Sequence, residues 1–232
     1  MLNKIKSDSM GKGDHGWLNS HFHFSFAEYY NPQKMNFGVL RVLNDDFVEQ
    51  HHGFEMHPHR DMEIITYVVA GELTHEDNLG HKAVIGRGHV QYISAGTGIA
   101  HSESNESDEQ IRLLQIWILP DKKGHKPAYG EYRFSWEERF NRWLHMVSGT
   151  NETTPIKVNQ DANFYSLSLD GGKEIDMEIN LGRQGYLVQI EGSSFVNDVL
   201  LEQQDALEIV EEHIVIKAQQ KSHFLLIEMK KA

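Results

Sequence analysis

The segment His57-Pro58-His59 places two imidazoles two residues apart. In an extended chain, side chains at i and i+2 leave the strand on the same face. Glu63 follows with the same parity, and His101-Ser102-Glu103 repeats the same-face pairing further along. Antiparallel strands at that separation are readily neighbours in a barrel. Three imidazoles and a carboxylate, from Glu63 or Glu103, then converge. An N₃O set suits a divalent first-row metal such as Fe, Mn, Co, Ni, Cu or Zn. A metal of this kind polarises an oxygen-bearing substrate and stabilises its deprotonated form. Gly86, Gly88, Gly96 and Gly98 punctuate the approach to His101, as tight turns require. The plainer reading makes His57 and His59 surface strand residues and Glu103 a solvated carboxylate. Two same-face pairs in a glycine-rich setting weigh against it.

The chain holds 15 histidines, so most of them must have other work. His15, His21 and His23 sit before or within an aromatic segment and are read as structural. His51-His52, His75, His81 and His89 are assigned to loops or the surface. No Walker loop, Rossmann fingerprint or Gly-x-Ser-x-Gly elbow is present.

The elements that must position the ligands read as strands. Runs of strand-forming residues recur at Phe37–Leu43, Ile64–Val69, Val90–Ile93, Leu113–Leu119, Tyr186–Ile190, Ala206–Val210 and His223–Met229, with turn residues between them. That spacing predicts an all-β sandwich or barrel rather than βαβ units. The clearest helical signal is Ser135-Trp136-Glu137-Glu138, which has capping-box form ahead of Phe140, Trp143, Leu144 and Val147. Trp143–Val147 equally suits the start of a strand. A weak internal repeat relates Tyr67-Val68-Val69-Ala70-Gly71 to the stretch from Tyr186 to Gly192, each followed by a comparable strand. Two copies of one β module would meet near Ser135–Asn151.

At 232 residues the chain can bury one large core or two small ones. With 39% hydrophobic and 24% charged residues, its composition is that of an ordinary globular protein. Cysteine is absent, which excludes disulfides, thiolate metal sites and cysteine nucleophiles. The polar N-terminus and the lack of a long apolar run predict a cytoplasmic protein without a membrane span. Against 34 acidic residues stand 22 basic ones, a formal net charge of -12. Such a surface repels nucleic acid. Nothing in the sequence demands an obligate interface, and a monomer is expected.

His57-x-His59-x-x-x-Glu63 with Gly71 resembles the first cupin motif, and Gly98-x-x-His101-x-x-x-Asn105 the end of the second. The likeness is closer to the pirin family, in particular its bacterial members described as quercetin 2,3-dioxygenases. It is carried by Asp14-His15-Gly16-Trp17-Leu18, Phe24-Ser25-Phe26-Ala27, Leu40-Arg41-Val42 with Asn44-Asp45-Asp46, and His57-Pro58-His59-Arg60-Asp61-Met62-Glu63. Ser94-Ala95-Gly96-Thr97-Gly98-Ile99, His101-Ser102-Glu103 and Gln115-Ile116-Trp117 complete it. These cover most of residues 14–120; beyond 120 the resemblance thins to general shape.

The resemblance implies a bicupin of two tandem jelly-roll barrels: a metal-binding N-terminal domain over 1–140 and a cupin-like domain lacking ligands over 141–232. It implies the metal set His57, His59, His101 and Glu103, because pirin-like proteins take the carboxylate from the second motif. Glu63 then becomes a neighbour of the ligands or a salt-bridge partner. Gly96 stands where most cupins have proline, and Gly53 lies closer to the motif than usual, both in keeping with pirins. One divalent metal per chain follows, with iron placed first. The implied reaction opens a flavonol such as quercetin with O₂ and releases carbon monoxide, with Glu103 as general base. Pirin itself is described as a nuclear cofactor, which implies the alternatives of a metal-dependent regulatory protein with a protein partner, or a cupin enzyme for another small molecule.

Overall fold

The computed structural model describes residues 1–231, almost all of them in strands and turns. The chain forms two compact units. One comprises Gly11–Ser135 with Val158–Gln160; the other takes Met1–Met10, Trp136–Lys157 and the chain from Asp161 onward. Strand β1 (Leu2–Ile5) belongs to the second unit.

The first unit contains β2 (Gly11–Asp14), β3 (Leu18–Phe22), β4 (Leu40–Val48), β5 (Gly53–His59), β6 (Glu63–Ala70) and β7 (Glu72–Asp77). It continues with β8 (Lys82–Gly86), β9 (Val90–Ser94), β10 (Ile99–Ser104), β11 (Ile111–Ile118) and β12 (Ala128–Tyr132). A seven-stranded sheet runs β12-β9-β6-β11-β4-β3-β2, and a four-stranded sheet runs β5-β10-β7-β8. Period-two alternation sends Val68, Leu113 and Ile111 of the large sheet against Leu73 and Ile85 of the small one. Each such side chain, fully buried, contributes about 1.5–3 kcal/mol.

The second unit holds β13 (Leu144–Ser148), β14 (Ile156–Lys157), β15 (Ala162–Leu169), β16 (Glu174–Glu178) and β17 (Arg183–Glu191). It is completed by β18 (Ser194–Val196), β19 (Val199–Leu201), β20 (Ala206–Val210), β21 (His213–Ala218) and β22 (Ser222–Lys230). The plan of the first unit recurs: seven strands in the order β1-β20-β17-β22-β15-β13-β14, and four in the order β16-β21-β18-β19. Tyr67 of β6 and Tyr186 of β17 are both buried near the middle of their large sheets. Gly71 and Gly192 follow those strands with φ of 76° and 82°, a left-handed turn that glycine enters without strain. The repeat seen in the sequence is therefore a repeat of the fold, two tandem cupin barrels.

The helical signal needs correction. The capping-box segment forms only a 3₁₀ turn, Trp136–Arg139, and Leu144–Ser148 is a strand. Val147 and Met146 are buried there by sheet packing, which overrides the local helical signal. The compact units part at Ser135/Trp136. Residues 1–10 join the second unit because Leu2–Ile5 pairs in register with Ala206–Ile209.

Candidate metal centre

The ligand candidates are set by the register of β10. On one side β10 pairs with β5, bringing His101 opposite His57 and Ile99 opposite His59. The register slips between His101 and Glu103, a bulge that re-aims the side chains around it. On the other side β10 pairs with β7, where His101 faces Asp77 and Glu103 faces His75. Gly53 makes the bulge admissible, since a Cβ there would overlap the carbonyl oxygen of Glu103.

The three imidazoles of the sequence motif form a cluster. Ring centroids stand 4.7 Å apart for His57 and His59, 4.5 Å for His57 and His101, and 4.9 Å for His59 and His101. One ring nitrogen from each lies within 4.8 Å of the others. His57 donates from Nδ1 to the Glu55 carbonyl at 2.7 Å, which leaves Nε2 with its lone pair free for the cluster. Burial, then the nearness of His101 and His57, holds His59 down at about 4. Burial and His57 hold His101 at about 3. His59 and His101 are therefore neutral near pH 7, the form in which imidazole ligates a metal.

Glu103 stands beside His101 in a second group, completed by His75, whose ligating atoms also lie within 4.8 Å of one another. It is buried, and both its oxygens accept hydrogen bonds: Oε1 from Gln91 at 2.6 Å and Thr66 at 3.2 Å, Oε2 from Gln115 at 2.7 Å. Glu63 belongs to neither group. Its oxygens receive Tyr92 Oη at 2.5 Å, Ser94 Oγ at 2.7 Å and the Asn159 backbone N–H at 2.9 Å. Hydroxyl and amide donors thus hold Glu63. Proximity to Glu63 joins burial in pushing the Tyr92 hydroxyl far up.

His101 decides whether these side chains suit an ion. It is 1% exposed, and neither of its ring nitrogens has a hydrogen-bond partner. A buried polar atom without a partner costs about 1–3 kcal/mol. Two on one ring, with His57 and His59 alongside, fit the demands of a bound cation. His57, His59, His101 and Glu103 all line one cavity of about 350 Å³, whose other walls include Trp17, Phe22, Phe26, Phe54 and Trp117. That volume falls in the about 300–1,000 Å³ range of small-molecule sites. His15 also lines it, whereas buried His23 does not.

His75 was assigned to a loop or the surface; it is fully buried on β7. His75 and Asp77 carry the same i, i+2 signal that marked the ligand pairs, and reading it there would have found them. Gln91, Gln115 and Thr66 gave no such signal, because their meaning depends on the strands that bring them to Glu103.

The Pirin family model matches residues 4–118, and the model described as quercetinase C-terminal cupin domain matches 137–229. The chain belongs to the pirin family. Among curated pirin relatives, a putative quercetin 2,3-dioxygenase of Pseudomonas aeruginosa is 42% identical, the match covering 99% of this chain and 100% of the relative. The quercetin 2,3-dioxygenase of Escherichia coli K12 is 38% identical, covering 99% of both chains. The crystal structure of the bacterial pirin YhhW from Escherichia coli in complex with nickel(II) superposes with a TM-score of 0.94 at 38% identity, covering 100% of each chain. That relative holds nickel, so the pirin likeness does not single out iron. No helix among the described residues is long and apolar enough to cross a membrane.

Proposed function

We propose that this pirin is a metal-dependent dioxygenase that opens flavonols such as quercetin, with His57, His59, His101 and Glu103 as the metal set. The reading rests on one observation above all. A buried His101 with two partnerless nitrogens stands beside the imidazoles of His57 and His59 in the lining of a cavity rich in aromatic side chains. The names of the relatives, quercetin 2,3-dioxygenases of which several are putative, support the same substrate class.

Held by those four residues, a divalent metal would supply Lewis acidity toward the oxygens of the substrate. The side chains do the rest. Trp17, Phe22, Phe26, Phe54 and Trp117 offer faces and edges to the aromatic rings and exclude water from them. Glu103 takes the 3-hydroxyl proton as general base. Gln91, Gln115 and Thr66 hold its carboxylate in place and release it when it turns to the substrate. One O₂ is consumed, both its atoms enter the opened product, and one carbon of the heterocycle leaves as carbon monoxide.

The test joins elemental analysis to aerobic quercetin consumption on one sample. About one metal per chain, with turnover lost in His59→Ala and Glu103→Gln, is the expected result. Metal bound without turnover would remove the flavonol reading and leave the centre. A site that nickel(II) or iron(II) cannot fill would remove both.

A further inference from the structure

β7 presents two buried groups that the proposed reaction does not use. His75 is 0% exposed and sits opposite Glu103; Asp77, one step along the same face, sits opposite His101. Asp77 Oδ2 accepts from His75 Nε2 at 3.4 Å and from His81 Nδ1 at 2.8 Å. Its Oδ1 accepts the backbone N–H groups of Leu79 at 2.9 Å and His81 at 3.0 Å. Tyr129 stacks on His75 with centroids 4.4 Å apart and planes 12° from parallel, fixing the ring against rotation.

With Nε2–H given to Asp77, the neutral ring of His75 carries its lone pair on Nδ1, and that atom is buried with no partner. Facing it, at 5.4 Å between centroids, is His101, whose two nitrogens are equally without partners. A histidine that ligates a metal through one nitrogen carries N–H on the other and needs an acceptor for it. His75 Nδ1 is an acceptor in want of a donor.

We propose that Asp77 and His75 are positioning residues. Asp77 fixes the tautomer of His75, and His75 receives the N–H of whichever His101 nitrogen does not face His57 and His59. This rests on reading His57, His59 and His101 as metal ligands. The pair aims His101 at the ion and raises its basicity; neither residue touches substrate. His81 lies at the solvent end of the chain of rings, and the backbone amides that hold Asp77 do not need its side chain.

The experiment titrates metal-stripped full-length protein with nickel(II) by calorimetry and records the electron paramagnetic resonance spectrum of the copper(II)-loaded form. Asp77→Asn and His75→Phe are expected to weaken nickel binding about 10–100-fold and to change the copper hyperfine splitting. His75→Gln, whose amide oxygen can accept the same N–H, should recover most of the affinity, and His81→Gln should bind as wild type does. Should His75→Phe fail to fold, Asp77→Asn, which keeps the side-chain shape, decides the matter. Wild-type affinity and an unchanged copper spectrum in Asp77→Asn and His75→Phe overturn the proposal while leaving the metal centre standing. Two nickel ions per wild-type chain, one of them lost in His75→Phe, also overturn it by making His75 a ligand. Wild-type protein that binds no nickel at all overturns the metal reading and the positioning role together.

Discussion

Asp46 gives a pH dependence that can be worked out from its surroundings. It is 3% exposed on β4 and lines the same cavity as the imidazoles. Burial first, then the charges of Asp45 and Glu103, push its carboxyl from 3.8 up to about 7, against an opposing hydrogen bond from Ser20. The folded protein therefore keeps a proton that the unfolded chain releases near pH 4. The stability from neutral Asp46 is complete below pH 4 and is lost as pH rises through 7. At about 1.4 kcal/mol per pH unit, the loss totals on the order of 4 kcal/mol, of which about 2 falls between pH 5 and pH 7 and about 3 between pH 5 and pH 8. Asp46→Asn keeps the shape and abolishes the titration. Urea denaturation of metal-free protein at about pH 5, 6, 7 and 8 should show wild type losing about 3 kcal/mol relative to Asp46→Asn, with the gap levelling above pH 7. Metal-free protein is required because an ion near Glu103 changes the field at Asp46. Parallel stability curves for the two proteins across this range would refute the reasoning.

Three further outcomes follow from other contacts. Glu63→Ala strips the acceptor from Tyr92, Ser94 and Asn159 and should cost about 2–5 kcal/mol in chemical denaturation, while nickel(II) still binds with wild-type stoichiometry. Gly53→Ala drives a methyl into the backbone at Glu103; calorimetry should find nickel affinity reduced at least tenfold in protein that keeps its circular-dichroism spectrum. Arg112 reaches Asp45 through two hydrogen bonds of 2.8 and 2.7 Å, both side chains being buried. Arg112→Met should destabilise by about 3–5 kcal/mol, and adding Asp45→Asn should recover most of that in a double-mutant cycle.

The strands were legible where apolar residues cluster densely. Ala206–Val210 matches β20 at both ends, and the run at Ile64–Val69 lies wholly within β6. The run at Phe37–Leu43 fell short, because β4 continues through Asn44, Asp45 and Asp46, polar residues buried by the cavity and by Arg112. Polar residues inside a strand read as a turn until their partners are known. Among the site residues, the i, i+2 parity of His57, His59 and His101 foretold a shared face, and the register of β10 supplies it. Parity alone left Glu63 and Glu103 equivalent. What separates them is the partners each meets: hydroxyls and Asn159 in one case, Gln91, Gln115 and Thr66 in the other.

The pairing of β1 with β20 has a consequence for how the protein is made. Leu2–Ile5 leaves the ribosome long before its partner Ala206–Ile209 is made. Until that partner emerges this strand must wait as an unpaired edge, the kind of segment that recruits wrong partners. The unit carrying the histidine cluster has an easier schedule, since Gly11–Ser135 supplies all its strands in one stretch. It is still incomplete until Val158–Gln160 emerges and Asn159 reaches the buried carboxylate of Glu63. A fragment ended at Ser135 would contain every proposed ligand and still lack the donor that closes its interior.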